Sequence, residues 1–407
     1  MGQLSPLFAR QPIFNRNLEV IAYELLFRSQ ESDITAVNGD HASSHVIFYA
    51  FGEHKITDVI GPHQAFINFT RNLLIAPPPL SPTQLVVEVL ETVQADDAVI
   101  AGLKQLREAG YQIALDDFLL NENTKVLLEF ADIVKIDVLA LSEDDVRTHV
   151  EYLRKLKVKL LAEKVETYEM LERCKQQGFD YFQGYFLSRP QIIEGLKIDD
   201  NRTAILQLLA KLTSPMADFD DVVQTIAIDP TLSYKVLKLV NSASVGLRRE
   251  INSLSHAVAM LGLNQIRNWA IFLLLISNND KPRELCALSL SRAKWCELLG
   301  TRIYGRASGD VGFTVGLLSN LDAFLDMPME QLTEKLHFSE QVKTALTNHS
   351  GKIGDILQLA ILHEQGRWRD MNWTFLGEHQ LTEEDLNTIY TSAVSWAERM
   401  LDAQNES

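Results

Sequence analysis

Cysteine is scarce in this chain: three residues in 407, Cys174, Cys286 and Cys296, with no CxxC pair among them. An odd, dispersed set of that kind excludes a disulfide framework and a zinc knuckle, and it fits a reducing compartment, so a cytoplasmic location is expected. Long apolar runs are missing too. The longest, Trp269–Ile276, falls well short of the roughly 20 residues that cross a bilayer, and the first residues lack a basic stretch followed by an apolar one. Neither a membrane span nor a secretion signal is expected. Basic charge is in deficit: 38 Lys and Arg against 54 Asp and Glu leave a formal net charge of -16. Binding long DNA or RNA requires clustered cations that replace condensed counterions, so a long nucleic acid is not an expected partner. A small phosphodiester escapes that objection, because metal ions supply local positive charge in an acidic pocket.

What is present is an ordinary globular mixture, 46% apolar and 23% charged, in a chain whose length suggests about two to three domains. Up to about residue 195, short β-rich runs alternate with helical stretches, the pattern of parallel strands joined by helices. The predicted strands are Val20–Phe27, Ala65–Phe69, Leu85–Leu90, Gln112–Leu115, Ile133–Ile136, Lys159–Ala162 and Tyr181–Gln183, with amphipathic segments such as Ala98–Ala109 and Val146–Leu156 between them. The expected architecture is an α/β barrel of the TIM-like kind. After Ser188-Arg189-Pro190 the β-rich runs stop and the pattern turns helical, so a second, all-α domain is expected. The boundary is placed near 191–205, which divides the chain into residues 1–195 and 196–407.

Acidic and amide residues recur at or just after the C-terminal ends of the predicted strands, the face where such barrels place chemistry. Glu24, Asn68, Glu88, Asp116, Asp117, Lys135, Glu163 and Gln183 fall that way. Oxygen donors converging on one mouth repel one another unless cations sit among them, and hard oxygen ligands select Mg²⁺ or Mn²⁺ over zinc. A pair of such ions suits in-line displacement at a phosphodiester, where both the attacking and the leaving oxygen need stabilising.

Segment by segment, residues 8–190 resemble the EAL family. Gln11-Pro12-Ile13 resembles its QPI, Glu24-Leu25-Leu26-Phe27-Arg28 its ExLxR with Leu25 for alanine, and Ile67-Asn68-Phe69 its VN motif. Glu88-Val89-Leu90-Glu91-Thr92 is similar to ExTES, Asp116-Asp117-Phe118 to DDFG and Lys135-Ile136-Asp137 to KID. Ala162-Glu163-Lys164-Val165-Glu166-Thr167 and Gln183-Gly184-Tyr185 complete the set as AEGVET and QGY. The resemblance implies an EAL barrel that opens cyclic di-GMP to linear pGpG. It makes Glu24, Asn68, Glu88, Asp116 and Asp117 the ligands of two Mg²⁺ or Mn²⁺ ions, with Glu163 holding an ion or its water. Lys135 orients the nucleophilic water and stabilises charge, since carboxylates around it should keep it an ammonium. Gln183 joins that water network, Arg28 takes a substrate phosphate, Gln11 reaches a guanine edge, and Glu91 steadies the loop after Asp117. That loop departs from the family: Asp117-Phe118-Leu119-Leu120-Asn121-Glu122-Asn123 stands where the family has a glycine-bearing DFGTGYSS. A homodimer through the barrel is also implied.

In the helical half, Asp229-Pro230-Thr231-Leu232-Ser233-Tyr234-Lys235-Val236-Leu237-Lys238-Leu239-Val240-Asn241-Ser242 resembles the signature of HDOD domains, relatives of the HD phosphohydrolases. The His-Asp pair of those hydrolases is replaced by Ser319-Asn320, poor metal ligands, so no catalysis is assigned here and a protein partner is expected instead. His256, His349 and His363 are read as capping or packing residues, Leu232, Val236, Leu239 and Val240 as core, and Asn241-Ser242 as a cap or turn. Three functional readings stand at this point for an EAL–HDOD signalling protein: a metal-dependent phosphodiesterase with a regulatory helical domain, a cyclic di-GMP receptor whose altered loop has lost hydrolysis, and an interaction scaffold.

Overall fold

Short apolar runs bounded by polar turns close the first of two compact units into a barrel of eight strands, paired in sequence order. The computed structural model describes residues 7–27, 57–191, 200–242, 251, 253–276, 281–336 and 338–405. The barrel unit takes the described residues up to Leu187, together with His363–Asp370 and Leu381–Asn387; the remainder forms the second unit. Much of the stretch expected to link the two halves, 192–199, lies outside the described residues.

The strands are β1 (Phe8–Phe14), β2 (Val20–Phe27), β3 (Gln64–Phe69), β4 (Leu85–Val89), β5 (Gln112–Leu115), β6 (Ile133–Asp137), β7 (Lys159–Glu163) and β8 (Tyr181–Gln183). All seven predicted strands form, with ends within one residue of those expected. From β2 to β8 each strand runs parallel to the next. β1, which the sequence did not reveal, runs antiparallel to both β2 and β8. Its run Phe8-Ala9-Arg10-Gln11-Pro12-Ile13-Phe14 lacks clean alternation, and Pro12 has no N–H to give a ladder, so it does not read as a strand by itself.

The connecting helices are α1 (Thr57–Ile60), α2 (Arg71–Ile75), α3 (Asp97–Glu108), α4 (Glu122–Leu127), α5 (Glu143–Leu153) and α6 (Tyr168–Gln177). Side-chain caps start them: Asp96 accepts from the N–H groups of Ala98 and Val99 to begin α3, and Thr167 accepts from Met170 to begin α6.

The second unit is helical throughout: α7 (Asp200–Thr213), α8 (Phe219–Ala227), α9 (Pro230–Val240), α10 (Leu254–Leu261), α11 (Leu263–Ile276), α12 (Arg283–Tyr304), α13 (Arg306–Leu318), α14 (Leu321–Leu325), α15 (Met329–Lys335) and α16 (Glu340–Asn348). α17 (Gly351–Glu364), α18 (Trp373–Glu378) and α19 (Glu383–Asn405) follow. Asp229 caps α9 and Pro230 occupies its first turn, where a missing N–H costs nothing. Leu232, Val236, Leu239 and Val240 are all buried, as their helical spacing predicts. Asn241 ends that helix and turns the chain, donating Nδ2 to the Ile251 carbonyl at 2.7 Å and accepting the Ile251 N–H at 2.8 Å. Among the described residues no helix is long and apolar enough to cross a membrane.

Candidate active site at the barrel mouth

Side chains on a strand return to the same face every second residue. The barrel interior has a layer made of Ile13, Ala22, Phe66, Val86, Ala114, Ile133 and Leu161, with Tyr181 packed against it. One step of two residues towards the C-terminal end of each parallel strand gives Glu24, Asn68, Glu88, Asp116, Lys135, Glu163 and Gln183. β1 points the other way, so the same step runs backwards from Ile13 to Gln11. Each of the eight strands thereby supplies one polar side chain to the layer above the apolar one. Asp116 belongs to it although β5 ends at Leu115, because its N–H continues the ladder to the Val89 carbonyl at 3.0 Å.

At the centre lies the Lys135 ammonium, 1% exposed, with four carboxylates around it. Nζ donates to Glu24 Oε2 at 3.1 Å and Asp116 Oδ1 at 2.8 Å, and it forms close ion pairs with Glu88 Oε1 at 2.6 Å and Glu163 Oε1 at 2.8 Å. Gln183 ties the amides in, its Nε2 donating to Gln11 Oε1 at 2.9 Å and to Glu24 Oε2 at 2.6 Å. Gly184 then lets the chain pass: a Cβ there would sit 2.1 Å from the Val165 carbonyl oxygen, and its φ of +150° is one that side-chain-bearing residues rarely adopt.

Burial and charge act against each other here. Burial alone would depress the Lys135 ammonium, yet Glu163, Glu24, Glu88 and Asp116 together hold it well above its usual value, so it stays charged as expected. Burial, then the Glu24 charge, pushes Glu88 well above the carboxylate range, and burial raises Glu163 from 4.5 to about 8. Between those two values the folded chain keeps a proton that the unfolded chain has released. Stability of the metal-free protein should therefore fall as pH rises through that window, by up to about 1.4 kcal/mol per pH unit for the one group. Chemical denaturation in chelator between pH 5.5 and 8 reads the slope, and Mn²⁺ should flatten it, since a ligating carboxylate gives up its proton.

The donor set fits divalent ions. Buried oxygens at Asn68 Oδ1, Glu88 Oε2, Glu163 Oε2 and Gln183 Oε1 have no hydrogen-bond partner among the described residues, and orphaned buried oxygens of this kind call for a cation or ordered water. On the rim, carboxylate oxygens of Glu91, Asp116 and Asp117 lie within 4.8 Å of one another. Asp117 holds a left-handed φ of +40°, a conformation that costs a non-glycine residue about 1–3 kcal/mol and persists only where the surroundings impose it.

The surroundings that impose it are not the family's glycines. Phe118 is buried and donates its N–H to the Lys135 carbonyl at 3.0 Å, while Leu120 donates to His149 Nε2 at 3.1 Å. Asn121 and Thr124 form a capping box that starts α4. Asn123 clamps the loop to the β4–α3 connection, accepting the Ala95 N–H at 2.7 Å and donating Nδ2 to the Val93 carbonyl at 3.1 Å. The Glu91 carboxylate lies beside those of Asp116 and Asp117, the residue at which this loop begins. Beside them Lys164, with a φ of +55° at the position of a family glycine, makes an ion pair with Asp137. The residues missed from the sequence were thus Asn123, His149, Lys164 and Asp137. Lys164 was detectable as a motif departure and Asn121-Glu122-Asn123-Thr124 as a helix start, whereas the His149 contact is purely tertiary. Arg28 lies outside the described residues.

In the helical unit the Ser319-Asn320 pair is engaged by a buried guanidinium. Arg292 Nη1 donates to Ser319 Oγ at 2.8 Å and to Asn320 Oδ1 at 2.9 Å, and Asn320 Nδ2 donates to Ser289 Oγ at 3.0 Å. Gly316 makes room for this packing of α13 on α12, since a Cβ there would lie 2.7 Å from the Arg292 carbonyl oxygen. A fixed cation at this point disfavours a second one. Of the three histidines, His256 is exposed, His349 ends α16 in a left-handed conformation and His363 is fully buried, its pKa lowered by burial to about 3.

The EAL domain family matches residues 57–190 and the HDOD domain family matches 201–348. The chain belongs to the EAL–HDOD family of two-domain proteins. Protein YuxH of Bacillus subtilis is 34% identical over 408 aligned residues, 97% of this chain and 99% of that protein. The Vibrio cholerae protein named Cyclic di-GMP phosphodiesterase CdgJ is 33% identical over 397 aligned residues, 96% of this chain and 92% of its own length. Among solved structures, Klebsiella pneumoniae BlrP1 in a manganese and cyclic di-GMP complex is 25% identical, covering 46% of this chain and 56% of that one with a TM-score of 0.36.

Proposed function

We propose that this chain is a divalent-metal-dependent phosphodiesterase that hydrolyses cyclic di-GMP to linear pGpG, with residues 1–195 as the EAL domain and 196–407 as a non-catalytic HDOD domain that regulates it or binds a partner. The observation that carries this reading is the polar layer itself: eight strands each place one side chain at the same height, and four of its oxygens are buried without a partner. A scaffold has no reason to maintain such a cluster, because burying mutually repelling carboxylates costs several kcal/mol. The clamped loop supports the enzyme reading over the receptor, since Asn123, the buried Phe118 and the Asn121 capping box hold the segment that bears Asp117 in place.

Glu24, Asn68, Glu88, Asp116 and Asp117, with Glu163, are the residues that would hold two Mg²⁺ or Mn²⁺ ions. Bound there, the ions supply Lewis-acid stabilisation to the phosphoryl oxygens. The remaining work falls to the protein's own groups. Lys135, held as an ammonium by the carboxylates around it, orients the attacking water and stabilises the negative charge that builds on the phosphoryl oxygens. Gln183 and Gln11 fix the amide end of that network, and Arg28 grips a substrate phosphate. Water adds to one phosphorus, one phosphorus–O3′ bond breaks, and the ring opens to pGpG.

The test is purified full-length protein with cyclic di-GMP and Mg²⁺ or Mn²⁺, with pGpG resolved chromatographically and Glu24→Ala as the control. Appearance of pGpG with the parent alone supports the enzyme; tight nucleotide binding without product would establish the receptor. Asn123→Ala removes both clamp bonds, so it is expected to weaken Mn²⁺ binding about tenfold by calorimetry, the worth of one to two lost hydrogen bonds. A cytoplasmic setting and a homodimer through the barrel belong to the same reading, and light scattering checks the second.

A further inference from the structure

Within the helical unit, α7, α11, α13 and the entrance to α16 line a half-open cavity of about 160 Å³. It is comparable in size to one that takes a benzene-sized guest. Its lining includes the apolar Ile271, Val311 and Val342 and the polar Arg267, Asn264 and Asp310.

Arg267 is the unusual member. Its guanidinium is half-buried, and among the described residues it makes one hydrogen bond, from Nη2 to the Ala217 carbonyl at 3.0 Å. Nε is buried with no acceptor. Among the described residues no carboxylate forms an ion pair with it, although Asp310 lines the same cavity. Even a partly buried cation loses hydration, a loss that an anion or further acceptors would offset. Burial also lowers the Arg267 basicity.

We infer that this cavity is a binding site for a small monoanionic carboxylate with an apolar body, its carboxylate held by the Arg267 guanidinium with help from the Asn264 amide, and its body against Ile271, Val311 and Val342. A guanidinium fork matches a carboxylate in geometry. Asp310 lines the same cavity, so its carboxylate opposes any anion bound there and its removal should strengthen anion binding. The apolar lining and the cavity size select a compact organic acid over a bare inorganic ion. This site is independent of the barrel chemistry.

Benzoate is a suitable probe, because it joins a carboxylate to a benzene-sized body, with benzamide as its uncharged counterpart and inorganic phosphate as the dianion. Calorimetric titration of the full-length protein should show benzoate binding at least about tenfold more tightly than benzamide, the factor expected of a charge-assisted hydrogen bond. Phosphate should bind more weakly than benzoate. Arg267→Gln should remove the preference for benzoate over benzamide, and Asp310→Asn should tighten benzoate and phosphate alike. Equal affinity for benzoate and benzamide, no benzoate binding at millimolar concentration, or tighter phosphate than benzoate would overturn the assignment. Should Arg267→Gln fail to fold, Asp310→Asn decides alone: unchanged benzoate affinity in that variant counts against the site.

Discussion

Lys135→Met should destabilise the metal-free protein by about 3–5 kcal/mol, the cost of removing one partner from a buried ion pair. The case rests on geometry. A single ammonium, 1% exposed, is the common partner of Glu24, Glu88, Asp116 and Glu163, and no other cation contacts these four among the described residues. Methionine fills much of the volume but leaves the carboxylates facing one another, and their raised affinity for protons at Glu88 and Glu163 offsets only part of the loss. Mn²⁺ should return much of the stability, because ligand binding to the folded state alone is stabilising by mass action. Denaturant titrations in chelator and in Mn²⁺ give both numbers. Lys159→Met is the control: its ion pair with Asp180 is exposed and worth about 0–1 kcal/mol. Equal stability of Lys135→Met and the parent in chelator would mean that the four carboxyl groups do not depend on the ammonium.

The second large effect is on turnover. Glu88→Ala should lower the rate of pGpG formation by more than about 100-fold, since loss of partners one shell further from a metal already costs 10–100-fold. Glu88 is fully buried on β4, with Oε2 lacking a hydrogen-bond partner among the described residues, so its removal would take a proposed ligand from the centre of the layer and not from its rim. The same substitution should abolish the thermal shift that Mn²⁺ induces. Glu88→Gln keeps the shape while removing the charge, which separates a ligand defect from a folding defect. Ser319→Ala should leave both turnover and the Mn²⁺ shift unchanged, because that hydroxyl serves the Arg292 network in the other unit. Equal loss in Glu88→Ala and Ser319→Ala would contradict the division of labour between the two domains.

Much of the barrel was legible because its strands are short apolar runs bounded by turn residues, a local signal. The helical half was legible for the same reason: three- and four-residue spacing predicted a buried face at Leu232, Val236, Leu239 and Val240, and all four are in the core. β1 was not legible. Its Arg10-Gln11-Pro12 centre carries no local strand signal, and it becomes a strand only because the edges of β2 and β8 stand ready to pair with it.

The site divides along the same line. The sequence by itself determined which residue types stand at the strand ends, because carboxylates and amides at those positions are fixed by covalent order and by a period of two. Only the tertiary structure decided that Lys135 serves four carboxylates brought together from four different strands, that Gln11 joins the layer through a strand running backwards, and that Asn123 and His149 hold the loop bearing Asp117. The physical reason is range. Periodicity and capping act over a few residues along the chain, whereas charge and hydrogen bonding act over a few ångströms in space, and closing the barrel is what converts the first kind of distance into the second.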